Sequence, residues 1–482
     1  LNRYSWVFSA YLLTSTVTVP VWGKLSDLYG RRLMYQIGIA VFLLGTLLSG
    51  FSGSMTQLIA FRAIQGLGAG ALVPLGMTII GDIFTVEERA RMQAYFSGVW
   101  GISSIVGPVV GGFITDQISW RWVFWINLPI GILAAIIIRV SLKEPAKARR
   151  PKIDYAGAGV LMFAIALMML ATIEGGSGFF SMQKILLFGV SCVLLVLFVF
   201  IEQRAKDPVI PLDLFRNRTL TIAVIAGFFG GIGMFGAISF IPLFAQGSLG
   251  FTATEAGSLL TPLMLAWVTM SVIGGRLMLR IGYREIAVAG FLVLTAGFVF
   301  LALFDTSSSV AWLYADLILI GSGLGLTMLT LLIVAQQAVE REKLGIATSL
   351  NQFSRSIGGA LGVAVMGAVL TAGLAVDLRI ASQSGNLTST QAEAFVSNPN
   401  ALIDPVEKAA VPLETLSVLQ SALASSIRPV FWVGAFVSIL ALFAVAMLPR
   451  YGDRGEEVDG EKLIMAEQTA INARNQPTAR YE

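Results

Sequence analysis

Histidine is absent from the 482 residues, cysteine occurs once, and only 13% of the chain is charged. With no histidine, and with Cys192 alone inside an apolar run, the residues that hold haem, zinc or disulfides are nearly all missing. This excludes respiratory-type membrane subunits and metalloproteases, and it leaves Asp or Glu to carry any proton the protein moves. A membrane-embedded enzyme would need a nucleophile with its base, or a set of metal ligands, inside the apolar segments, and the sequence offers neither. The scarcity of charge is informative in itself, because soluble domains carry roughly a quarter of their residues as charges. In its place stand 56% hydrophobic residues and a mean hydropathy of +0.78.

Apolar runs of about 20 residues, the length that crosses a hydrocarbon core as helix, recur along nearly the whole chain. The alternation in segments of about ten that marks a membrane β-barrel is absent. The expected fold class is therefore all-α and polytopic. Thirteen spans are predicted, near 6–22, 33–51, 57–80, 93–114, 121–140, 155–173, 184–201, 220–245, 256–279, 286–304, 312–336, 345–370 and 430–448. Alternate loops carry nearly all the basic residues, from Lys24, Arg31 and Arg32 through Lys147 and Arg150 to Arg341 and Lys343. The positive-inside rule places those loops and the tail after Arg450 in the cytoplasm, and residue 1 outside. The net charge of +4 and the pI near 9.2 thus follow topology and do not indicate nucleic acid. An odd span count and a start at Leu1 rather than Met predict a further helix before residue 1. No signal peptide is visible in the opening stretch.

The chain repeats itself. Gly23-Lys24-Leu25, with Gly30 and Arg32, recurs as Gly275-Arg276-Leu277, with Gly282 and Arg284, at a constant offset of 252 residues. The loops Val86-Glu87-Glu88-Arg89 and Val339-Glu340-Arg341-Glu342 recur at almost the same spacing. Two homologous halves in tandem are the architecture of transporters that rock one half against the other around a midplane site. The expected organisation is an N-terminal half over 1–140, a two-helix insertion with its linkers over 141–218, a C-terminal half over 219–450, and a charged cytoplasmic tail over 451–482. Thr371 to Arg428 reads as a long, polar, external loop. Within it, Asn386-Leu387-Thr388 fits a glycosylation sequon that would matter only in a secretory-pathway host.

Four motifs carry more specific information. Gly23-Lys24-Leu25-Ser26-Asp27-Leu28-Tyr29-Gly30-Arg31-Arg32 has the physics of a tight turn, with glycines for close backbone approach and an acid flanked by bases. Leu58 to Gly70 places Arg62 and Gln65 in an otherwise apolar, glycine-rich span. A charge there is costly unless it meets an acid, a carbonyl or water, so Arg62 reads as functional, the alternatives being a structural ion pair or an interfacial arginine. Gly98, Gly101 and Gly107-Pro108-Val109-Val110-Gly111-Gly112 allow helices to pack backbone to backbone, with a proline that bends the helix. Trp120 to Pro129, which includes Asn127, is an aromatic-rich span entry of the kind that anchors at an interface.

In this order, the four motifs resemble those of the major facilitator superfamily, and the insertion and the long loop resemble its fourteen-helix drug:proton antiporters of the EmrB/QacA type. That resemblance covers essentially Leu1 to Arg450. It implies a proton-coupled exporter of small amphipathic, often cationic compounds in the plasma membrane, powered by the proton gradient with no bound cofactor. It also implies a gating role for Gly23, Asp27, Gly30, Arg31 and Arg32, with Asp27 at the N-terminal end of the helix that starts near Gly345. The glycines and proline of the fifth-helix motif would mark the export branch. The family's first-helix aspartate has no counterpart here. The remaining candidates for a coupling acid are Asp316, a few residues inside its span, then Glu174, Glu255 and Asp116 nearer the boundaries. Arg355, one turn after Asn351 and Gln352, is either a second cavity residue or a structural partner of an acid elsewhere. Importers, and exporters of a specific metabolite, siderophore or lipid, are the alternatives within the transporter class. A non-transporting receptor would not need Arg62 or the paired halves. Nothing in the sequence identifies a periplasmic adaptor.

Overall fold

The computed structural model describes residues 2–142, 154–173, 182–304, 309–384 and 411–449, together with 387, 388 and 395. Within them the chain is helical, in the order α1 (Asn2–Tyr29), α2 (Arg31–Gly50), α3 (Met55–Ile83), α4 (Val86–Gln117), α5 (Trp122–Trp125), α6 (Asn127–Ser141), α7 (Tyr155–Ile173) and α8 (Met182–Glu202). There follow α9 (Arg218–Gly247), α10 (Ala253–Ser258), α11 (Leu260–Ile281), α12 (Tyr283–Leu303), α13 (Val310–Gln337), α14 (Leu344–Gln383) and α15 (Leu413–Ala446). Taking α5 with α6 and α10 with α11, these match the thirteen expected spans in order. Among the described residues, ten helices are long and apolar enough to cross a membrane. The others are α1 and α4, diluted by Ser, Thr and Gly, and α7, which is apolar but short.

Some helix starts are set by short polar side chains. Ser54 and Asn217 each accept a backbone N–H from the first turns of α3 and α9. Thr85 with Glu88, and Thr252 with Glu255, form reciprocal capping boxes on α4 and α10. Val86 to Arg89 is therefore the first turn of a helix. Its sequence counterpart Val339 to Glu342 instead leads into a 3-10 turn, Arg341–Lys343. Gly30 and Gly282 are single-residue joints between α1 and α2 and between α11 and α12, with φ of 100° and 99°. Only glycine adopts that backbone without strain, which explains why both copies of the motif keep it.

The repeat extends to packing. A side chain on Gly66 would collide with the Tyr11 carbonyl of α1, and one on Gly321 with the Leu263 carbonyl of α11. Gly70 and Gly325 meet Ser15 and Trp267 in the same way, while Gly68 and Gly323 press on the backbones of Phe42 in α2 and Leu294 in α12. So α3 lies in backbone contact with α1 and α2 as α13 lies with α11 and α12, and the glycines are what permit the approach.

Among the described residues, the large buried core runs through α7 to α15 and reaches Val17 of α1, and a small separate cluster lies at Met34, Ala71 and Leu75. No residue of α5 or α6 is buried, and Ile130, Leu133 and Val140 point outward, as lipid-facing residues do. The hairpin α7–α8 is tied by Ser191, which donates to the Ala164 carbonyl at 2.7 Å, and packs against α1 and α14.

The polar stretch Thr371 to Arg428 is not simply a loop. Helix α14 continues to Gln383 and α15 begins at Leu413, so helical segments flank it on both sides. They pack on each other, with Leu374, Leu378 and Leu423 buried, and Asp377 accepts the hydroxyls of Ser425 and Ser426 at 2.6 and 2.8 Å. Spaced leucines among polar residues satisfy a two-helix contact in water, a pattern that lowers hydropathy without breaking the helix. Asn386 of the sequon, Glu174, and the tail from 451 to 482 lie outside the described residues.

Candidate functional site

Two constellations stand out, one at the end of the bundle that carries Gly23 to Arg32 and one inside it. At the end, the turn at Gly30 returns the chain so that Asp27 and Arg31, one helical turn apart in sequence, form an ion pair. Asp27 also accepts the backbone N–H of Gly345 at 3.0 Å and of Ile346 at 2.8 Å. These are first-turn donors of α14 that have no partner within their own helix, and the helix dipole favours a negative charge there. Arg31 bonds through Nε to Asp82 of α3 at 2.8 Å and donates to the Arg341 carbonyl at 3.3 Å. Arg341 in turn donates to the Asp82 carbonyl at 2.5 Å and pairs with its carboxylate at 3.6 Å. Gln336 of α13 donates to the Met77 carbonyl at 3.3 Å and to Thr348 at 3.2 Å.

Every one of these links except those within 27–82 and Gln336–Thr348 joins the two halves. Helix approach is close: a methyl on Gly23 would stand 2.9 Å from the Gly345 carbonyl oxygen, and one on Gly345 2.6 Å from Asp27 Oδ1. Arg32, half-buried, begins α2 beside them. Asp82, Gln336 and Arg341 were not among the sequence candidates. Nothing local in the sequence marks Asp82 or Gln336.

Inside the bundle, Arg62 lies with its guanidinium 4.1 Å from the Tyr11 ring centroid and 5.9 Å from that of Phe124. It bonds to the Gln65 side chain and, through Nε, to the Val7 carbonyl at 3.2 Å. Gln65 is buried and passes the link on to Thr46 at 2.8 Å. Arg355, half-buried on α14, bonds to Gln352 one turn earlier and reaches Met328 Sδ at 3.7 Å. Neither arginine forms a salt bridge with a described residue.

Asp316 is buried, but it points at α12, where a methyl on Gly297 would lie 3.5 Å from its Oδ1, and not at either arginine. Its two carboxylate oxygens have no hydrogen-bond partner among the described residues. Asn127 spends its amide on the carbonyls of Val123 and Phe124, at 3.2 and 3.1 Å, where α5 breaks into α6. It is a local cap and does not reach Arg62. Glu255 is the capping-box acid of α10.

Among the described residues, the fifth-helix glycines meet no backbone of another helix. Among the described residues, Gly107, Gly111 and Gly112 have nothing within 4 Å of an added methyl, and Gly98 has only Val268 of α11 at 3.8 Å. The side chain of Pro108 lies outside those described.

Comparison with known proteins adds independent findings. A family model described as Major Facilitator Superfamily matches residues 1–363. The multidrug transporter protein MdtP of Bacillus subtilis (strain 168) is 37% identical over 479 residues, covering 93% of this chain and 87% of that protein. Multidrug resistance protein 3 of the same organism is 35% identical over 452 residues, covering 93% and 88%. Multidrug resistance protein Stp of Mycobacterium tuberculosis is 33% identical over 377 residues, covering 77% and 70%. Among solved structures, the human organic anion transporter MFSD10 superposes with a TM-score of 0.57 at 16% identity, over 92% of this chain and 83% of that one, a likeness of fold alone.

Proposed function

Since the chain belongs to the major facilitator superfamily and is a multi-pass membrane transporter, we propose that it exports small amphipathic compounds from the cell in exchange for protons. The observation that carries the reading is the polar network between the halves at Asp27, Arg31, Asp82 and the start of α14. On the positive-inside assignment this end is cytoplasmic, and so is the tail. The network then holds the cytoplasmic side shut while the other side is open to release substrate. Opening requires Asp27 to leave two backbone donors and Arg31 to shed its contact with the Arg341 carbonyl. That makes a latch with a definite bonded state, and not a surface that slides.

Relatives named as multidrug transporters support drug-like substrates, and the fifth-helix motif from Gly98 to Gly112 supports the outward direction. A proton must ride on a carboxylate in a chain without histidine. Asp316 is a buried acid of the C-terminal half whose carboxylate oxygens have no hydrogen-bond partner among the described residues. We assign it the protonatable role among the described residues, at a distance from Arg62.

The test is accumulation of cationic, neutral and anionic fluorescent amphiphiles in cells making the full-length protein, with and without an uncoupler. Energy-dependent loss of at least one dye, abolished by the uncoupler and weakened by Asp316→Asn, is the expected result. Uptake in place of loss would establish an importer, and loss that survives the uncoupler would remove proton coupling.

A further inference from the structure

The hairpin α7–α8 touches both halves. Helix α7 packs against α1 and against α14, the two helices that meet directly where Asp27 binds the first turn of α14. Val17 of α1 joins the same buried cluster as Leu161 and Ile165 of α7 and Leu350 of α14. Helix α7 therefore lies along the seam between α1 and α14. When the latch opens and α1 parts from α14, α7 can keep only one of these neighbours.

The stretch between α8 and α9 decides which one. Glu202, the last residue of α8, is buried, and its Oε1 accepts the Val209 N–H at 3.0 Å. A methyl on Gly157 of α7 would stand 3.0 Å from the same oxygen, so Glu202 holds the start of α7, the end of α8 and the linker together. Val209, Ile210 and Leu214 of the linker are buried in the cluster that includes the core of the C-terminal half. At the far end, Asn217 donates to the Ala338 carbonyl at 2.6 Å, just after α13, and Asp213 pairs with Lys343 at 3.1 Å, just before α14. Hydrogen bonds fix distance and direction. Apolar packing of the kind Val17 contributes is non-directional, and in a bilayer lipid tails can replace it.

We propose that the hairpin α7–α8 is carried by the C-terminal half and acts as a clasp on α1, released each time the latch opens. Glu202 and Asn217 are the positioning residues that fasten it. The inference rests on the latch reading and adds to it a second, apolar closure of the same seam.

Spin labels at three exposed sites test this in the full chain in lipid nanodiscs: Tyr155 at the start of α7, Leu33 near the start of α2 and Ile281 at the end of α11. The sites are changed to cysteine in pairs, with Cys192→Ser, and distances are measured by double electron–electron resonance. Each pair is compared with the latch intact and with the latch broken by Asp27→Asn. Breaking the latch should lengthen the Leu33–Ile281 and Tyr155–Leu33 distances and leave Tyr155–Ile281 unchanged.

The fastening is tested with the latch intact. Glu202→Ala removes the acceptor for Val209, and Asn217→Asp keeps an oxygen to cap α9 while removing the donor to Ala338. Together they should broaden the Tyr155–Ile281 distance distribution. Glu202→Gln, whose side-chain oxygen still accepts an N–H, should leave it narrow, which a loss of charge alone would not.

A Tyr155–Leu33 distance that stays constant while Tyr155–Ile281 changes would overturn the proposal, as would linker variants that leave the distribution narrow. A Leu33–Ile281 distance unmoved by Asp27→Asn would remove the latch reading and with it the release of the clasp. The linker variants would then still show whether the hairpin is fastened to the C-terminal half, so the two failures are told apart.

Discussion

The two halves share a scaffold and differ in what they do with it. Gly30 and Gly282 turn the chain with φ of 100° and 99°, and the paired glycines of α3 and α13 meet equivalent backbones in each half. Yet Asp27 corresponds to Leu279 and Arg31 to Tyr283. The N-terminal half therefore reaches α14 with charge and hydrogen bonds, while the reciprocal approach of α11 to α4 includes the apolar contact of Val268 with Gly98. Among the described residues, one crossing is held by charge and the other shows an apolar contact. A duplicated scaffold thus supplies the hinge, and a few substitutions in one copy supply the asymmetry.

A second difference lies between α14 and α4. Gly358, Gly359 and Gly362 of α14 press on Phe228, Phe235 and Ile232 of α9. Gly107, Gly111 and Gly112 of α4 have no such neighbour among the described residues.

The largest expected effect comes from the latch. Asp27→Asn should lower the initial efflux rate more than tenfold while substrate binding persists, because a buried ion pair that loses one partner is destabilised by about 3–5 kcal/mol. Leu279→Ala should change the rate little, and equal losses in both variants would abolish the asymmetry. Next, Gly358→Leu should sharply reduce the yield of folded protein in detergent, since its side chain would meet the Phe228 backbone, whereas Gly111→Leu should be tolerated. If both fail alike, the α4 face is covered in the membrane as the α14 face is.

Gly30→Ala and Gly282→Ala should each lower thermal stability by about 1–3 kcal/mol, the range for a residue held in a disfavoured backbone region. Only Gly30→Ala should also impair transport. A transport defect in both would make the second turn part of the latch.

The smallest effect concerns Lys343 and Asp213, paired at 3.1 Å on the surface. The hydrogen bond from Lys343 holds the Asp213 carboxyl below its usual value of 3.8. A depressed carboxyl contributes above its unfolded value and loses that contribution as pH falls through the lowered one. Asp213→Asn should cost less than about 1 kcal/mol in urea unfolding at neutral pH, and nothing at a pH where the carboxyl is protonated.

Much of this was legible in the sequence, and the remainder was not for identifiable reasons. Span lengths and the turn motif announced thirteen helices and two halves. The repeat of Gly66, Gly68 and Gly70 as Gly321, Gly323 and Gly325 does not share the fixed offset, because α12 and the connection before α13 are together three residues longer than α2 and the connection before α3. Asp316 could be placed at a depth but not on a face. Hydropathy reports how far along a helix a residue stands, and only the neighbours, here Gly297, report which way it points. Thr371 to Gln383 read as loop because amphipathic packing in water and irregular chain have similar hydropathy. Asp82 belongs to the latch through a turn that brings α2 beside α3, a relation with no local signature.

The helical extension of α14 has one further consequence. Forty residues of helix measure about 60 Å, roughly twice the hydrocarbon thickness, and α15 braces the excess through Asp377 and its two serines. That excess is a stiff pointer fixed to the C-terminal half, at the opposite end of the bundle from the latch. A small rotation at the midplane becomes a wide swing at its tip, so a spectroscopic label near Gln383 would record each turnover as a distance change that labels within the bundle would scarcely register.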